Sequence, residues 1–427
     1  MQNNHKSQKD MLGRSAILPL KAALEKLRRH LAALPAPGEE IVPLEEGLGR
    51  FLAQAVTAKE NLPAQPRSTM DGYAVKAADS FGAAESRPVY LKISGEVLMG
   101  TMPEAGPGSL ECHKIATGGF LPPGTDAVVM LEHTIKVDST LIELIKAVSP
   151  GENLLAAGDD LREGEPVLAA GKKLRPQELG LLAGLGFREV AVHKTIRVGI
   201  FSTGDEIVPF QESPPPGKIR DMNGVHLSAL TRQLGGCPQY YGITADVESS
   251  FSSLLHQALA ENDLVLFSGS SSVGTRDLGE RVIGNLPGPG TIIHGVAIKP
   301  GKPVIVALSG NKPIFGLPGH PVSAAVAFDL FVRPTMAHLS GHKGQEFPEK
   351  RRVPARLTRN LNSAAGRTDF VRVSLSPSPD GQGYAAQPVL GKSGALSTMV
   401  KADGYLVIAE ESQGLYQEAQ VDVFLFD

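Results

Sequence analysis

The sequence predicts a multidomain α/β protein, and three observations carry that prediction. From Arg197 onward, short apolar runs alternate with amphipathic stretches in a β-then-α rhythm, the pattern of a parallel sheet covered by helices on both faces. Between Asn61 and about Val148, and again from Arg351 to Asp427, the chain breaks into short alternating segments with turn residues between them, which predicts two mostly β regions. A length of 427 residues also exceeds what one hydrophobic core usually serves.

Composition narrows the function classes. A net charge of -3, from 42 basic and 45 acidic residues, argues against broad electrostatic binding to nucleic acid or to an anionic membrane. Small or specific ligands fit better. Cys112 and Cys237 are far apart and lack metal-ligand spacing, so neither a disulfide framework nor a zinc site is predicted, and a reducing, cytoplasmic setting is expected. The polar start of the chain, without an apolar core, is expected to be a frayed tail rather than a signal peptide or anchor, and no later apolar run is long enough to span a bilayer.

Taken in order, Leu18 to Leu34 carries apolar residues at helical spacing and is stopped by Pro35-Ala36-Pro37-Gly38, and a second helix is expected over Leu44 to Leu52. Segments such as VYLKISGEV and LIELIKAV then mark the inserted β region. Within it, Asp71-Gly72 reads first as a hairpin turn, because that dipeptide is a strong hairpin signal. The glycine and proline loop around Thr117 and Gly118 likewise reads as a turn before a strand. A short helix enters through Pro176 and is ended by Gly184 and Gly186. Next come a strand over Val198 to Ser202, a helix over Val225 to Leu234, a strand at Tyr240 to Ile243, a helix at Phe251 to Leu259 and a strand at Leu264 to Phe267. KPVIVAL and PIFGL read as further strands, and Val322 to Leu339 as a helix.

In such a sheet ligands gather at the carboxyl ends of the strands, which assigns four loops to one edge: Ser202 to Glu206, Ser268 to Asp277, Lys299 to Pro303 and Gly316 to Ser323. The second, SGSSSVGTRD, passes from a buried strand through small residues onto a helix start, where free N–H groups and the helix dipole favour an anion such as phosphate. Asp277 stands where a carboxylate could hold a cation beside that phosphate. A strand-to-helix turn with a capping Asp accounts for the loop equally well. Asp205 and Glu206 read equally as surface carboxylates, and Lys299 and Lys302 as solvated charges. Pro300 and Pro303 nevertheless stiffen the segment carrying both ammonium groups, and Pro321 marks another helix start. His320, Arg372, Ser393 and Ser397 read singly as ordinary loop or surface residues. Together, two anion-seeking helix starts, two lysines and several carboxylates on one edge point to a site for phosphate and oxyanion.

MDGYA, the TG loop before PPGTDAVV, FSTGDE, IRDMN, SVGTRD, AIKPGKP and GLPGHPVS, in this order, closely resemble the molybdopterin molybdenumtransferase family, the MoeA-like proteins that include the E domain of gephyrin. The likeness runs from about Leu18 to the C-terminus. It implies a helical linking domain (15–60 and 149–190), an inserted β domain (61–148), a molybdopterin-binding α/β domain (191–340) and a C-terminal β barrel (349–427). It also implies insertion of molybdate into adenylylated molybdopterin with release of AMP, aided by Mg2+ or another divalent cation. A homodimer is implied, with Asp71 and Thr117 completing the partner's site, and the molybdopterin adenylyltransferase is a further expected partner. The resemblance assigns catalytic roles to Asp277, Glu206, Asp71, Lys299 and Lys302. It assigns ligand binding to Thr117, Thr203, Gly204, Asp246, Ser268, Gly269, Ser272, Gly274, Pro318, His320, Pro321 and Ser323. Asp277 and Glu206 would meet the cation, and Arg372 and Ser393 the molybdate. The chain departs from the family pattern at His320, where Asn is usual, and at Ser270, Leu155 and Ala245, where Gly, Arg and Arg are usual. Related readings are a paralogue that inserts tungstate and a non-catalytic, gephyrin-like dimeric scaffold.

Overall fold

The computed structural model describes residues 17–269, 273–342, 350–378, 381 and 383–426, and for residues 273–277 the backbone alone. It divides into two units: one holds the first helix, Gly49–Ala53 and the chain from Ala191 onward, the other Ile41–Leu48 and Gln54–Val190.

The first helix, α1 (Leu20–Leu31), buries Ala23, Leu27 and Leu31, a stripe at four-residue spacing, in a core shared with Ile292, Ile293 and Val296. Arg28, Arg29 and His30 in its last turn complement the helix dipole. The second helix expected at Leu44 to Leu52 is only a 3-10 turn, Leu44–Gly47. Leu48 is already extended (ψ 125°) and Gly49 has φ 76°, so the chain leaves helical geometry after one turn.

The second unit is built on six strands: β1 (Gly72–Val75), β2 (Ala84–Glu96), β3 (Glu111–Ile115), β4 (Ala127–Met130), β5 (Thr134–Lys136) and β6 (Leu141–Lys146), in the order β4-β1-β3-β2-β6-β5. One face buries Tyr73, Val75, Leu91, Cys112, Val129, Ile142 and Leu144. Asp71-Gly72 is not the hairpin turn that the dipeptide suggests. Gly72 starts the inner strand β1, opposite both Ile115 and Met130, and a Cβ there would lie 1.9 Å from the Val129 carbonyl oxygen. The glycine answers to crowding inside the sheet, not to a turn. Helix α2 (Pro176–Gly184) follows, entered through proline as expected.

In the other unit, β7 (Arg197–Thr203), α3 (Asn223–Gln233), β8 (Cys237–Thr244), α4 (Glu248–Glu261), β9 (Leu264–Ser268) and α5 (Val273–Gly284) alternate as predicted. After β10 (Gly290–His294) and β11 (Ile298–Lys299) come β12 (Ile305–Ser309) and β13 (Lys312–Leu317). The six-stranded sheet has the order β8-β7-β9-β13-β12-β10. Its first four strands are parallel, but β12 runs antiparallel to β13 and β10 antiparallel to β12, so the sheet carries an antiparallel edge on the predicted parallel core. The cause is local. Gly310-Asn311 joins β12 to β13 with Gly310 at φ 55°, a two-residue, glycine-first hairpin link. This inversion has a functional consequence: Ile305 pairs with Gly316, so the loop entering β12 opens on the same edge as the loop leaving β13.

Both faces of the sheet are covered. Phe315, Leu317 and Ile200 belong to one core; Phe201, Phe267 and Phe251 form an aromatic knot in the other, with ring centroids 5.1–5.7 Å apart. The helix expected from Val322 to Leu339 is α6 (Pro321–Ala327) and α7 (Arg333–Leu339), separated by a π-helical turn at Phe328–Val332. The C-terminal strands β14 (Arg352–Leu357), β15 (Thr368–Pro377), β16 (Tyr384–Pro388), β17 (Gly404–Ile408) and β18 (Gln420–Leu425) close into a five-stranded barrel in the order β15-β16-β14-β18-β17, with β17 returning to β15. β11 adds to β15 in parallel, Lys299 opposite Asp369, and so ties the barrel to the loop that enters the α/β sheet. Among the described residues no helix is long and apolar enough to cross a membrane.

Candidate functional site

The predicted loops 202–206, 299–303 and 316–323 open at the carboxyl edge; of 268–277, Ser268 ends β9 there and residues 273–277 belong to α5 rather than to a loop, and the described residues gather into two adjoining groups. The first surrounds a cavity of ≈ 780 Å³ between the 299–303 loop, the start of α6 and the barrel. Lys299, Lys302, Pro318, His320 and Ser323 line it from the α/β side, and Arg372 and Ser393 from the barrel side. Thus seven residues scattered over the sequence meet at one cavity. Pro321 starts α6 beside it and is buried.

Arg372 is the most informative of them. It reads as surface in the sequence, yet it is 8% exposed: β15 turns Val371 and Val373 to the barrel core, and Phe370 and Arg372 to the opposite face, where Arg372 lines the cavity. One guanidinium nitrogen, Nη2, donates to the Gly391 carbonyl at 2.9 Å, while its buried Nε has no hydrogen-bond partner among the described residues. Desolvation pushes its pKa down from the usual arginine value. A buried donor left unmatched at a cavity wall is a costly arrangement unless a ligand accepts from it.

His320 and Ser393 meet across the cavity rim, Nδ1 and Oγ being 2.8 Å apart. The Val322 N–H donates to the Ser393 carbonyl at 3.1 Å, so the barrel loop is fastened to the start of α6 twice. Sequence reasoning left Arg367, Asp369, Lys392 and Glu410 unremarked, although all four line the cavity. Five cationic side chains, Lys299, Lys302, Arg367, Arg372 and Lys392, therefore face two carboxylates, Asp369 and Glu410. The surplus suits an anion of more than one charge. The spacing of basic residues on either side of Asp369 was a readable signal for part of this set.

The second group sits at the ends of β7, β8 and β9. Thr203, buried, donates through Oγ1 to Asp246 at 2.6 Å, and the Asp246 N–H donates to Asp205 at 3.3 Å. Ser202 Oγ lies 3.3 Å from Ser268 Oγ and donates to Asp221 at 2.9 Å; the Gly224 N–H and the Tyr240 hydroxyl donate to the same carboxylate. Burial, and after it hydrogen bonding to Asp221, push the Tyr240 hydroxyl well above its ordinary value, keeping it a proton donor. Gly269 adopts φ 118°, and a Cβ there would lie 1.9 Å from the Thr203 carbonyl oxygen, so this loop requires glycine. Gly204, at φ 145°, likewise lies in the positive range, and Glu206 is exposed beside it. The groups are linked: the Gly269 N–H donates to Leu317 at 3.3 Å, and Asn223 Nδ2 to Gly319 at 2.9 Å.

Ser270 and Ser272 lie outside the described residues, and of Gly274 and Asp277 only the backbone, in the first two turns of α5, is described. Among the described residues no three His, Cys, Asp or Glu side chains converge as a metal site. In the other unit Asp71 accepts from the Thr117 N–H at 2.7 Å and from its hydroxyl at 2.9 Å. Those two bonds, the backbone one first, hold the Asp71 carboxyl below its ordinary 3.8. Leu155 and Ala245 are exposed.

A cationic cavity between an α/β sheet edge and a closed barrel, beside a glycine-dependent loop, is suited to a multiply charged anion. Residues 18–186 match the MoeA N-terminal region (domains I and II), 199–338 the probable molybdopterin-binding domain and 354–426 the MoeA C-terminal region (domain IV). A relative from Methanocaldococcus jannaschii is 35% identical over 424 residues, covering 96% of this chain and 98% of its own. The molybdopterin molybdenumtransferase of Bacillus subtilis is 30% identical over 420 residues, covering 97% and 95%. The crystal structure of the molybdopterin biosynthesis MoeA protein from Pyrococcus horikoshii superposes with a TM-score of 0.80 at 35% identity, over 96% of this chain and 100% of that one. The chain belongs to the MoeA family.

Proposed function

We propose that this chain is a molybdopterin molybdenumtransferase that inserts molybdate into adenylylated molybdopterin and releases AMP, a step of molybdenum cofactor biosynthesis. The observation that carries the reading is the cavity wall: an excess of cationic side chains together with the unmatched, buried Arg372 Nε, complementary to a tetrahedral dianion. Molybdate is the substrate here. Lys299, Lys302 and Arg372 neutralise it, and Ser393 and Ser323 offer hydroxyl donors from the two sides of the cavity.

The pterin and its phosphates would lie against the ends of β7 and β9, where Gly204 and Gly269 permit close backbone approach and Ser268 and Thr203 supply polar groups. A divalent cation would be held by the Asp277 and Glu206 carboxylates with the substrate phosphate, since Mg2+ favours one or two carboxylates plus phosphate oxygens over an all-protein cage. It would supply charge neutralisation at the bond that releases AMP. Asp71 and Thr117 form a rigid acidic element of the other unit, and in this reading they are presented to the site of a second copy in a homodimer.

The test is direct. Purified protein with adenylylated molybdopterin and Mg2+ should release AMP only when molybdate is added, and Lys299→Ala or Lys302→Ala should lower the rate by about 10²-fold, the usual loss on removing one preorganised charge-stabilising group. AMP release that is indifferent to molybdate, or to both lysines, would contradict the assignment.

A further inference from the structure

We propose that Asp369 is a specificity-determining counter-ion that Lys299 leaves when the oxyanion binds, and that Arg367 makes this exchange possible; the inference rests on the oxyanion reading of the cavity. Asp369 is 3% exposed. Its carboxylate is divided between two cations: Oδ1 accepts from Arg367 Nε at 2.9 Å, and Oδ2 lies 3.7 Å from Lys299 Nζ.

The two contacts are unequal. The Arg367 contact is a charge-assisted hydrogen bond, whereas the Lys299 contact is a looser ion pair, and the Lys299 side chain is 57% exposed. Register fixes both partners, because Lys299 and Asp369 face each other across β11 and β15. A buried carboxylate cannot be left uncompensated without strong destabilisation. With Arg367 retained, it need not be: Lys299 can turn to an arriving dianion while Asp369 stays paired. An anion must therefore outcompete Asp369 for Lys299, which weakens binding of every oxyanion and disfavours those of low charge most. In this arrangement Asp369 lowers affinity and sharpens choice, the opposite of what a purely structural ion pair would do.

The signs of four variants follow. Asp369→Asn keeps size and removes the competing charge, so molybdate should bind about tenfold more tightly. Among the described residues, Arg367→Ala leaves Lys299 as the one cation paired with Asp369, so molybdate should bind about tenfold more weakly. Arg367→Lys should stay near wild type, and the double variant Asp369→Asn/Arg367→Ala should regain at least the wild-type affinity. The experiment is calorimetric titration of the full chain and its variants with molybdate, thermal unfolding being recorded for each. If Asp369→Asn does not fold, the comparison of Arg367→Ala with Arg367→Lys carries the decision alone, and equal affinities there overturn the proposal. Wild-type protein that binds no molybdate overturns the oxyanion reading and this inference with it. Wild-type binding combined with a weaker Asp369→Asn, or with a double variant no better than Arg367→Ala, overturns the exchange and leaves the oxyanion reading standing.

Discussion

Single residues decide where this chain departs from what its local patterns suggest. Asp71-Gly72 has the composition of a hairpin turn, but the glycine is demanded by the Val129 carbonyl 1.9 Å from where a Cβ would be, and the aspartate by the Thr117 donors. Arg372 looked like surface because nothing in a β-strand sequence reveals that a cation on the face away from the barrel core is covered at a cavity wall. His320 holds Ser393 at 2.8 Å, so it is part of the rim rather than a stray loop residue. Asp71 gives a checkable titration. Its charged form is the one that Thr117 favours, so this contribution is present above the ordinary 3.8 and is lost as pH falls through the lower folded value. Thr117→Val removes the hydroxyl donor but leaves the N–H, which is the larger cause. In a carboxyl NMR titration, Asp71 should therefore move part of the way back toward 3.8, staying below it. A full return, or no movement, would contradict the two-donor account.

At the scale of elements, periodicity made the helices and the β–α alternation legible, because apolar stripes at α1, α3 and α4 are cut off by proline, glycine or polar residues. Strand direction was less legible. β12 and β13 are equally apolar whichever way they run, and only the Gly310-Asn311 link between them marks a hairpin. That hairpin is what turns the 299–303 loop toward the site, so the placement of Lys299 and Lys302 depends on a feature that hydrophobicity cannot show. Helix α2 supplies a stability test. Glu178, 5% exposed, accepts from the Arg175 side chain and, at 2.9 Å, from the Arg175 backbone N–H; these bonds, the side-chain one first, bring its carboxyl from 4.5 to about 2. Its folded pKa is depressed, so the stabilisation is complete above 4.5 and disappears as pH falls toward about 2. Glu178→Gln should cost about 1 kcal/mol or more in urea unfolding at pH 7, the scale of a helix cap. The gap between variant and wild type should close as pH falls from 4.5 toward about 2; a constant gap over that range would rule out the charged cap.

For the whole molecule, two units carry complementary halves of the proposed chemistry: the oxyanion cavity and glycine-dependent loops in one, the Asp71–Thr117 element in the other. If the site is shared between two copies, Asp71→Ala and Asp277→Ala proteins, each inactive alone, should regain part of the AMP-releasing activity on mixing under conditions of subunit exchange. A mixture that exchanges subunits and stays inactive would show that each copy uses its own Asp71. The claim on which the rest depends is that the cavity walled by Lys299, Lys302, Arg372 and Ser393 receives molybdate. Anomalous diffraction at the molybdenum edge from crystals soaked in molybdate tests it most directly. The account predicts a molybdenum peak in that cavity within hydrogen-bonding reach of the Arg372 guanidinium, and its loss in Arg372→Gln; a peak elsewhere, in protein that still releases AMP in a molybdate-dependent way, would contradict it.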